Sequence, residues 1–460
     1  MLTYRFGFLC HHADDRPESG ARASLRRAAW SSRSCEDFVI RLHPETRIEI
    51  HRRAEGAVVV IGDAYSQSEA SLADLLVAVP WEDPWPALDL VGGRYAVLFL
   101  SGGRMRVAHD AFGARSLFYR PGHNAAASHA RLLARAYGLA PSRTAAGLME
   151  RPEYGARTVK YLPGDLTAFE DVFALTPNNF WDGDKTHRYW PRRPRTETTA
   201  AEFLAEVETL FRYFVPFILS RYVPVFGITG GIDSRAAFAP FGGKFLGVTW
   251  THYFPRSERP VVERLIEHLA LDHTFVSRSH YEAGNFFRAA GRNNGGLRPG
   301  DCLYEGMAAK FSTPGNVFIR GYGGEILRGF PAYQDLIPSL SARDMTIAYG
   351  SSIRKVAPTE EYQTSCEEVF AAFRVRANYA GLEAYRHKPM DHFYWEHRMG
   401  MWGASMLNEM DGAVYSTVGL NSRPLYEAAF GLPDEVRLTK ALLTSVVALY
   451  DERLAAIPHT

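Results

Sequence analysis

Residues 225–238 read Val-Phe-Gly-Ile-Thr-Gly-Gly-Ile-Asp-Ser-Arg-Ala-Ala-Phe. The apolar run of Val223, Val225, Phe226 and Ile228 predicts a buried strand. It stops at Thr229-Gly230-Gly231 and resumes at Asp233-Ser234 as the head of a helix. Two glycines let backbone N–H groups approach an anion with no Cβ in the way. The helix start adds its partial positive charge. A phosphate there would repel the Asp233 carboxylate unless a magnesium ion lay between them. The combination fits ATP. A plain Gly-Gly turn, with Asp-Ser as an ordinary cap, reads the same residues without chemistry.

The segments around this turn set the fold class. Ala200–Ser220 places Phe203, Val207, Leu210, Phe211 and Phe214 on one helical stripe. After the turn come a predicted strand at Phe245–Trp250, a helix at Val261–Leu269 and a strand at Val317–Ile319. That alternation predicts a doubly wound parallel sheet with ligand at the C-terminal strand ends. Arg320-Gly321-Tyr322-Gly323-Gly324-Glu325 is then a second glycine turn opening onto the same crevice. Residues 390–445 read as mainly helical.

The first 190 residues read differently. Val58–Ile61, Tyr95–Leu100 and Arg104–Ala108 are short apolar or alternating runs between glycine turns, and the last two predict a hairpin. Thr186–Thr199 is polar, carries Pro191 and Pro194, and reads as a linker. The expected division is therefore a β-rich unit over 1–190 and an ATP-binding α/β unit over 200–460.

A formal net charge of +1 over 460 residues leaves no footprint for nucleic acid or an anionic membrane. No run approaches a membrane span, and no signal pattern opens the chain, so a cytoplasmic protein is expected. Cys10, Cys35, Cys302 and Cys366 are scattered and read as thiols, not as a disulfide or zinc framework.

The glycine turn resembles the phosphate loop of the N-type ATP pyrophosphatases, with Thr229 where those proteins have a first serine. With Arg235-Ala-Ala it is most similar to the asparagine-synthetase branch. Ile61-Gly62-Asp63, Val91–Ala96 and His109–Tyr119 resemble the class II glutamine amidotransferase domain that precedes the synthetase domain there. Tyr161–Asp165 and Tyr189-Trp190-Pro191 resemble the join. The resemblance implies an Ntn-hydrolase-like β-sandwich followed by an ATP pyrophosphatase domain. That glutaminase works through a cysteine next to the initiator Met. Here Leu2 stands in its place and Cys10 lies inside a predicted strand, so no glutaminase chemistry is expected. β-Lactam and carbapenam synthetases share this state, and Tyr322 resembles their base-dyad tyrosine.

The resemblance further implies ATP and Mg2+ as cofactors. Thr229, Gly230, Gly231, Asp233, Ser234, Gly321 and Gly323 would bind the phosphates, and backbone near Val248 and Thr249 the adenine. Asp233 and Glu325 would be metal ligands. Tyr322 would pair with Glu409, or alternatively with Glu396, as the base. Substrates would be a small-molecule or peptide carboxylate and an amine, joined through an acyl-adenylate, as in antibiotic biosynthesis. Transfer of free or partner-supplied ammonia, and nucleotide binding without catalysis, are the alternatives. RNA thiolation lacks a reactive cysteine and a basic face. A homodimer fits as well as a monomer. The family's closing basic loop, whose lysine binds pyrophosphate, has no match before Thr460, and Lys244, Lys310 and Lys440 do not replace it.

Overall fold

The computed structural model describes residues 2–251, 258–329 and 336–459. Three sheets organise them. The first, in the order β10-β8-β9-β1-β3-β2, is built from Phe173–Ala174 (β10), Phe118–Tyr119 (β8), Ala125–Ala127 (β9), Phe8–His12 (β1), Phe38–Leu42 (β3) and Ser31–Cys35 (β2). The second, in the order β12-β11-β7-β6-β5-β4, is built from Thr186–Arg188 (β12), Asn179–Trp181 (β11), Arg104–His109 (β7), Val91–Ser101 (β6), Gly56–Ser66 (β5) and Ile48–Arg53 (β4). All pairings in both are antiparallel.

Alternation explains how they stack. Phe8, Cys10 and Ile40 of the first sheet meet Val59, Ile61, Leu98 and Val107 of the second in one dry layer. The opposite face of the second sheet, with Val58, Val60, Tyr95 and Val97, packs on helix Ala200–Arg221. Strands β5 and β6 are therefore covered on both faces, so they read as continuous apolar runs and not as half-buried alternation. The predicted hairpin is present, with β6 and β7 in register from Ala96↔His109 to Ser101↔Arg104.

The third sheet is parallel, in the order β15-β14-β13-β16-β17: His273–Val276 (β15), Leu246–Trp250 (β14), Val223–Gly227 (β13), Asn316–Arg320 (β16) and Tyr415–Val418 (β17). Helices cover both faces. Phe226, Val317 and Ile319 pack towards helices Ala200–Arg221, Ile232–Phe238 and Arg259–Leu269. Val225, Val248 and Phe318 pack towards Asn285–Asn293, Leu303–Phe311 and Ala404–Met410. The mixed α/β architecture with antiparallel sheets and a parallel sheet is thus present.

Two local expectations need correcting. Thr186–Arg188 is an edge strand, so the irregular connection is confined to residues 189–199. The mainly helical region at 390–445 also contributes β17, which closes one edge of the parallel sheet. Its four buried residues, Tyr-Ser-Thr-Val, are too few to show a period.

A buried charge pair ties the antiparallel and parallel regions together. Arg94 on β6 is fully buried, and its Nη1 donates to Asp411 Oδ1 at 2.7 Å and to the Ser416 carbonyl at 2.8 Å. Its Nε donates to the Ala114 carbonyl at 2.9 Å. Removing one member of a buried pair strands the other in low dielectric. Arg94→Met should therefore lower unfolding stability by about 3–5 kcal/mol in urea titrations. A loss under about 1 kcal/mol would mean that Asp411 finds another partner.

Candidate active site

The two glycine turns sit at the C-terminal ends of β13 and β16 and interlock. A Cβ on Gly321 would lie 2.7 Å from Ser234 Cα, and one on Gly324 would lie 2.5 Å from Asp233 Oδ1. No other residue type lets the second turn lie this close to the head of helix Ile232–Phe238. Gly323 takes φ +98, and a side chain there would strike the Leu420 carbonyl.

The first turn already holds an anion. The Gly230 N–H donates to Glu258 Oε2 at 3.1 Å. Thr229 Oγ1 accepts from the Gly231 N–H at 3.2 Å and lies 2.9 Å from Ser234 Oγ. Asp233 projects from the helix head and receives Arg328 in a fork, Nε to Oδ1 at 2.9 Å and Nη2 to Oδ2 at 3.1 Å. Glu325 accepts a hydrogen bond from the Tyr394 hydroxyl. Burial first, and the charge of Asp233 second, push the Glu325 carboxyl above its ordinary range. A carboxylate raised by burial and by a second carboxylate beside it suits a shared cation.

The residues fit a magnesium ion on those grounds, provided Arg328 yields Asp233. Among the described residues no cluster of three or more His, Cys, Asp or Glu could hold a metal by itself. Two carboxylates, completed by phosphate oxygens and water, are the usual protein share for this ion.

Tyr322 lies between the turns and the antiparallel region. Its ring is 6.1 Å from Phe112 and 5.6 Å from Trp402, and its hydroxyl accepts from Arg320 Nη1 at 3.1 Å. Burial pushes its phenol up, while Arg320 and Arg298 work in the other direction. Glu409 is buried but gives no hydrogen bond to Tyr322. It accepts from Asn294 Nδ2 at 2.7 Å and from the Tyr304 hydroxyl, and pairs with Arg298 Nη2 at 2.6 Å. The expected Tyr322–Glu409 contact is therefore replaced by a network in which Glu409 reaches Tyr322 only through its charge. Glu396, the rival, is fully buried and gripped by Arg188 at 2.7 and 2.8 Å and by Asn178 at 2.8 Å. Burial alone would raise its carboxyl, but Arg188 outweighs it and holds the group well below the carboxylate range. Glu396 is a structural anion.

The expected adenine wall is partly committed to the sheet. The Val248 carbonyl accepts the Ile228 N–H at 2.8 Å. Thr249 Oγ1 donates to the Ile228 carbonyl at 2.7 Å and lies 2.9 Å from His273 Nε2. A hydroxyl has one proton, so His273 Nε2–H must be the donor in the second contact. Burial lowers His273 to about 4, and burial with the neighbouring His392 lowers His387 to about 4. Both stay neutral in the fold, whereas free imidazole titrates near 6.5. Protonation thus favours the unfolded chain, and stability should fall as pH drops from about 6.5 towards 4. Urea midpoints at pH 7 and pH 5 measure this. The drop should shrink in a His273→Asn, His387→Asn double variant, and an unchanged drop would assign it to other groups.

Cys10 lies in β1, fully buried, and its thiol is pushed far above the ordinary range, which suits no nucleophile. Sequence reasoning assigned no role to Glu258, Tyr394, Arg298 and Tyr304, which carry no motif of their own, nor to Arg320 and Arg328, which lie within or just after the second turn but whose partners only the fold reveals. The arginines at the site carry the positive charge that no lysine supplies there. Arg320 Nε and Nη2 are buried without a hydrogen-bond partner among the described residues.

No protein-family model matches the chain, and no curated protein matches it. Among solved structures it is similar to glutamine phosphoribosylpyrophosphate amidotransferase from B. subtilis, complexed with ADP and GMP. The identity is 11%, the match covers 70% of this chain and 77% of that one, and the TM-score is 0.24. So slight an overlap carries no structural argument. No helix among the described residues is long and apolar enough to cross a membrane.

Proposed function

We propose that the chain is an ATP-dependent amide synthetase that adenylates a carboxylate and joins it to an amine, releasing AMP and pyrophosphate. The observation that carries this reading is the Gly230 N–H holding the Glu258 carboxylate, next to the Asp233–Arg328 pair. The site binds an anion at backbone and pairs a carboxylate with a cation beside it, which is what a nucleoside triphosphate requires.

In this reading the phosphates displace Glu258 from the first turn and draw Arg328 from Asp233. Asp233 and Glu325 would hold Mg2+, which supplies neutralisation of pyrophosphate charge. Thr229, Gly230, Gly231 and Ser234 position the phosphates, with Gly321 and Gly323 keeping the second turn close. Arg320 and Arg328 share the charge of the leaving pyrophosphate. Tyr322, fixed by Arg320, faces the acyl group and guides the proton leaving the amine, within the field of Glu409.

Exchange of labelled pyrophosphate into ATP, run over a panel of carboxylic acids with Mg2+, tests the reading. At least one acid should stimulate exchange, and ammonium chloride added with an acidic substrate separates ammonia transfer from amine ligation. Tight ATP binding with no exchange for any acid would overturn adenylation. It would favour nucleotide binding without turnover.

A further inference from the structure

We propose that the cavity beside the second glycine turn receives a distal anionic group of the substrate acid, so that the protein selects acids carrying a second negative charge, carboxylate or phosphoryl. The cavity, of about 130 Å3, is lined by Thr158, Tyr161, Ser351, Arg354, Tyr394 and Arg398 among others. Two guanidinium groups and several hydroxyls face it, and no carboxylate does among the described residues. Charge and hydrogen-bonding capacity both point to an anion.

Arg398 is the less satisfied of the two arginines. Its Nε is buried with no hydrogen-bond partner among the described residues. Its guanidinium lies 5.6 Å from the Tyr394 ring centre and 5.2 Å from that of Trp402. The Tyr394 hydroxyl also hydrogen-bonds its guanidinium, but Nε finds no acceptor among the described residues, which leaves one donor to be satisfied from elsewhere. Arg354 is exposed and anchored through Nη1 to the Ser351 carbonyl at 2.5 Å and the Ile353 carbonyl at 3.0 Å. That anchoring holds one arm of its fork at the cavity wall.

The cavity adjoins the proposed reaction centre. Tyr394 lines it and donates to Glu325 in the second turn. Trp402, under Arg398, packs 5.6 Å from Tyr322. An acid with its reacting carboxylate at the turns can therefore lay a short tail towards Arg398 and Arg354. The volume admits a small group and not a polymer. The inference rests on reading the two turns as the adenylation site.

Three probes with the same alkyl spacer test it: glutarate, 4-phosphonobutyrate and valerate, which end in a carboxylate, a phosphonate and a methyl group. Calorimetric titration into the full chain at pH 7 should show one or both dianions binding at least about tenfold more tightly than valerate. The stronger of the two identifies the group. Arg354→Ala, at an exposed residue outside the proposed catalytic machinery, should cut the preference below about threefold, and Arg354→Lys should keep part of it. Equal binding of all three probes, no binding, or a preference indifferent to Arg354→Ala would overturn the inference. Binding of a fluorescent ATP analogue in the same samples separates the two claims. Its loss with the dianion preference intact would sink the ATP reading and leave the anion cavity standing.

Discussion

Asp233→Ala should reduce ATP-dependent AMP release by about 10³-fold or more while the protein stays folded. Asp233 is the carboxylate at the head of helix Ile232–Phe238, and in the resting site it balances Arg328. Arg328 is mostly buried, so losing Asp233 also costs it this partner and should lower the melting point without unfolding the protein. The carboxylate's value lies in the nucleotide-bound site, where it is one of two groups that would fix the cation on the phosphates. Removing it leaves Arg328 and the backbone donors to hold a tetraanion, and preorganised charge is lost where charge develops. Asp233→Asn should behave similarly, since it keeps the shape and removes the charge. Single-turnover AMP release, set beside a thermal melt of the same sample, measures both halves. Turnover within about tenfold of the parent in a folded Asp233→Ala variant would remove the first turn from the reaction.

Tyr322→Phe should split the two half-reactions. The substitution removes only the hydroxyl that accepts from Arg320, and the ring can keep its packing on Phe112 and Trp402. A substrate carboxylate is already ionised at pH 7, so adenylation needs no proton removed. Pyrophosphate exchange should therefore persist within about tenfold. Amide formation should fall by roughly 10²–10⁴, the worth of positioned acid–base catalysis. A parallel fall in both would place Tyr322 with the phosphates through Arg320, and no fall in either would make it a packing residue. Because Glu409 acts on Tyr322 by charge and not by contact, Glu409→Gln should have the same sign and a smaller effect.

Legibility in the sequence depends on where each signal resides. The strand–turn–helix at 225–238 is local: its apolar run, its glycines and its carboxylate are neighbours, so the strand, the turn and the helix were readable there. The same holds for the second turn, whose glycines are required by contact with Ser234 and Asp233. Thr199 and Glu202 also form a capping box at the start of helix Ala200–Arg221, a local signal that the sequence reading did not use. Partners brought together only by the tertiary fold left no such trace. Arg328 reaches Asp233 across 95 positions, and Tyr304 reaches Glu409 across 105. The sequence put Glu409 ahead of Glu396 but could not show the surroundings that distinguish them, because Arg188 and Arg298 are both distant. The segment Phe393–Gly403 adds a further reason, since its π-helical bonding breaks the 3.6-residue spacing on which helical faces are read.

The apolar core also bears on how such a chain can change over generations. Val58, Tyr95 and Val97 of the antiparallel region share one cluster with Phe203, Phe226, Tyr426 and Leu454 of the remainder. Arg94 closes the same boundary with charge. Each side of the connection after β12 keeps an interior of its own, but separation would open the cluster they share, so neither is a cassette to be exchanged between proteins unchanged. New specificity would have to arise by substitution along the rim, at positions such as Arg354, where a side chain can be replaced without reopening the core.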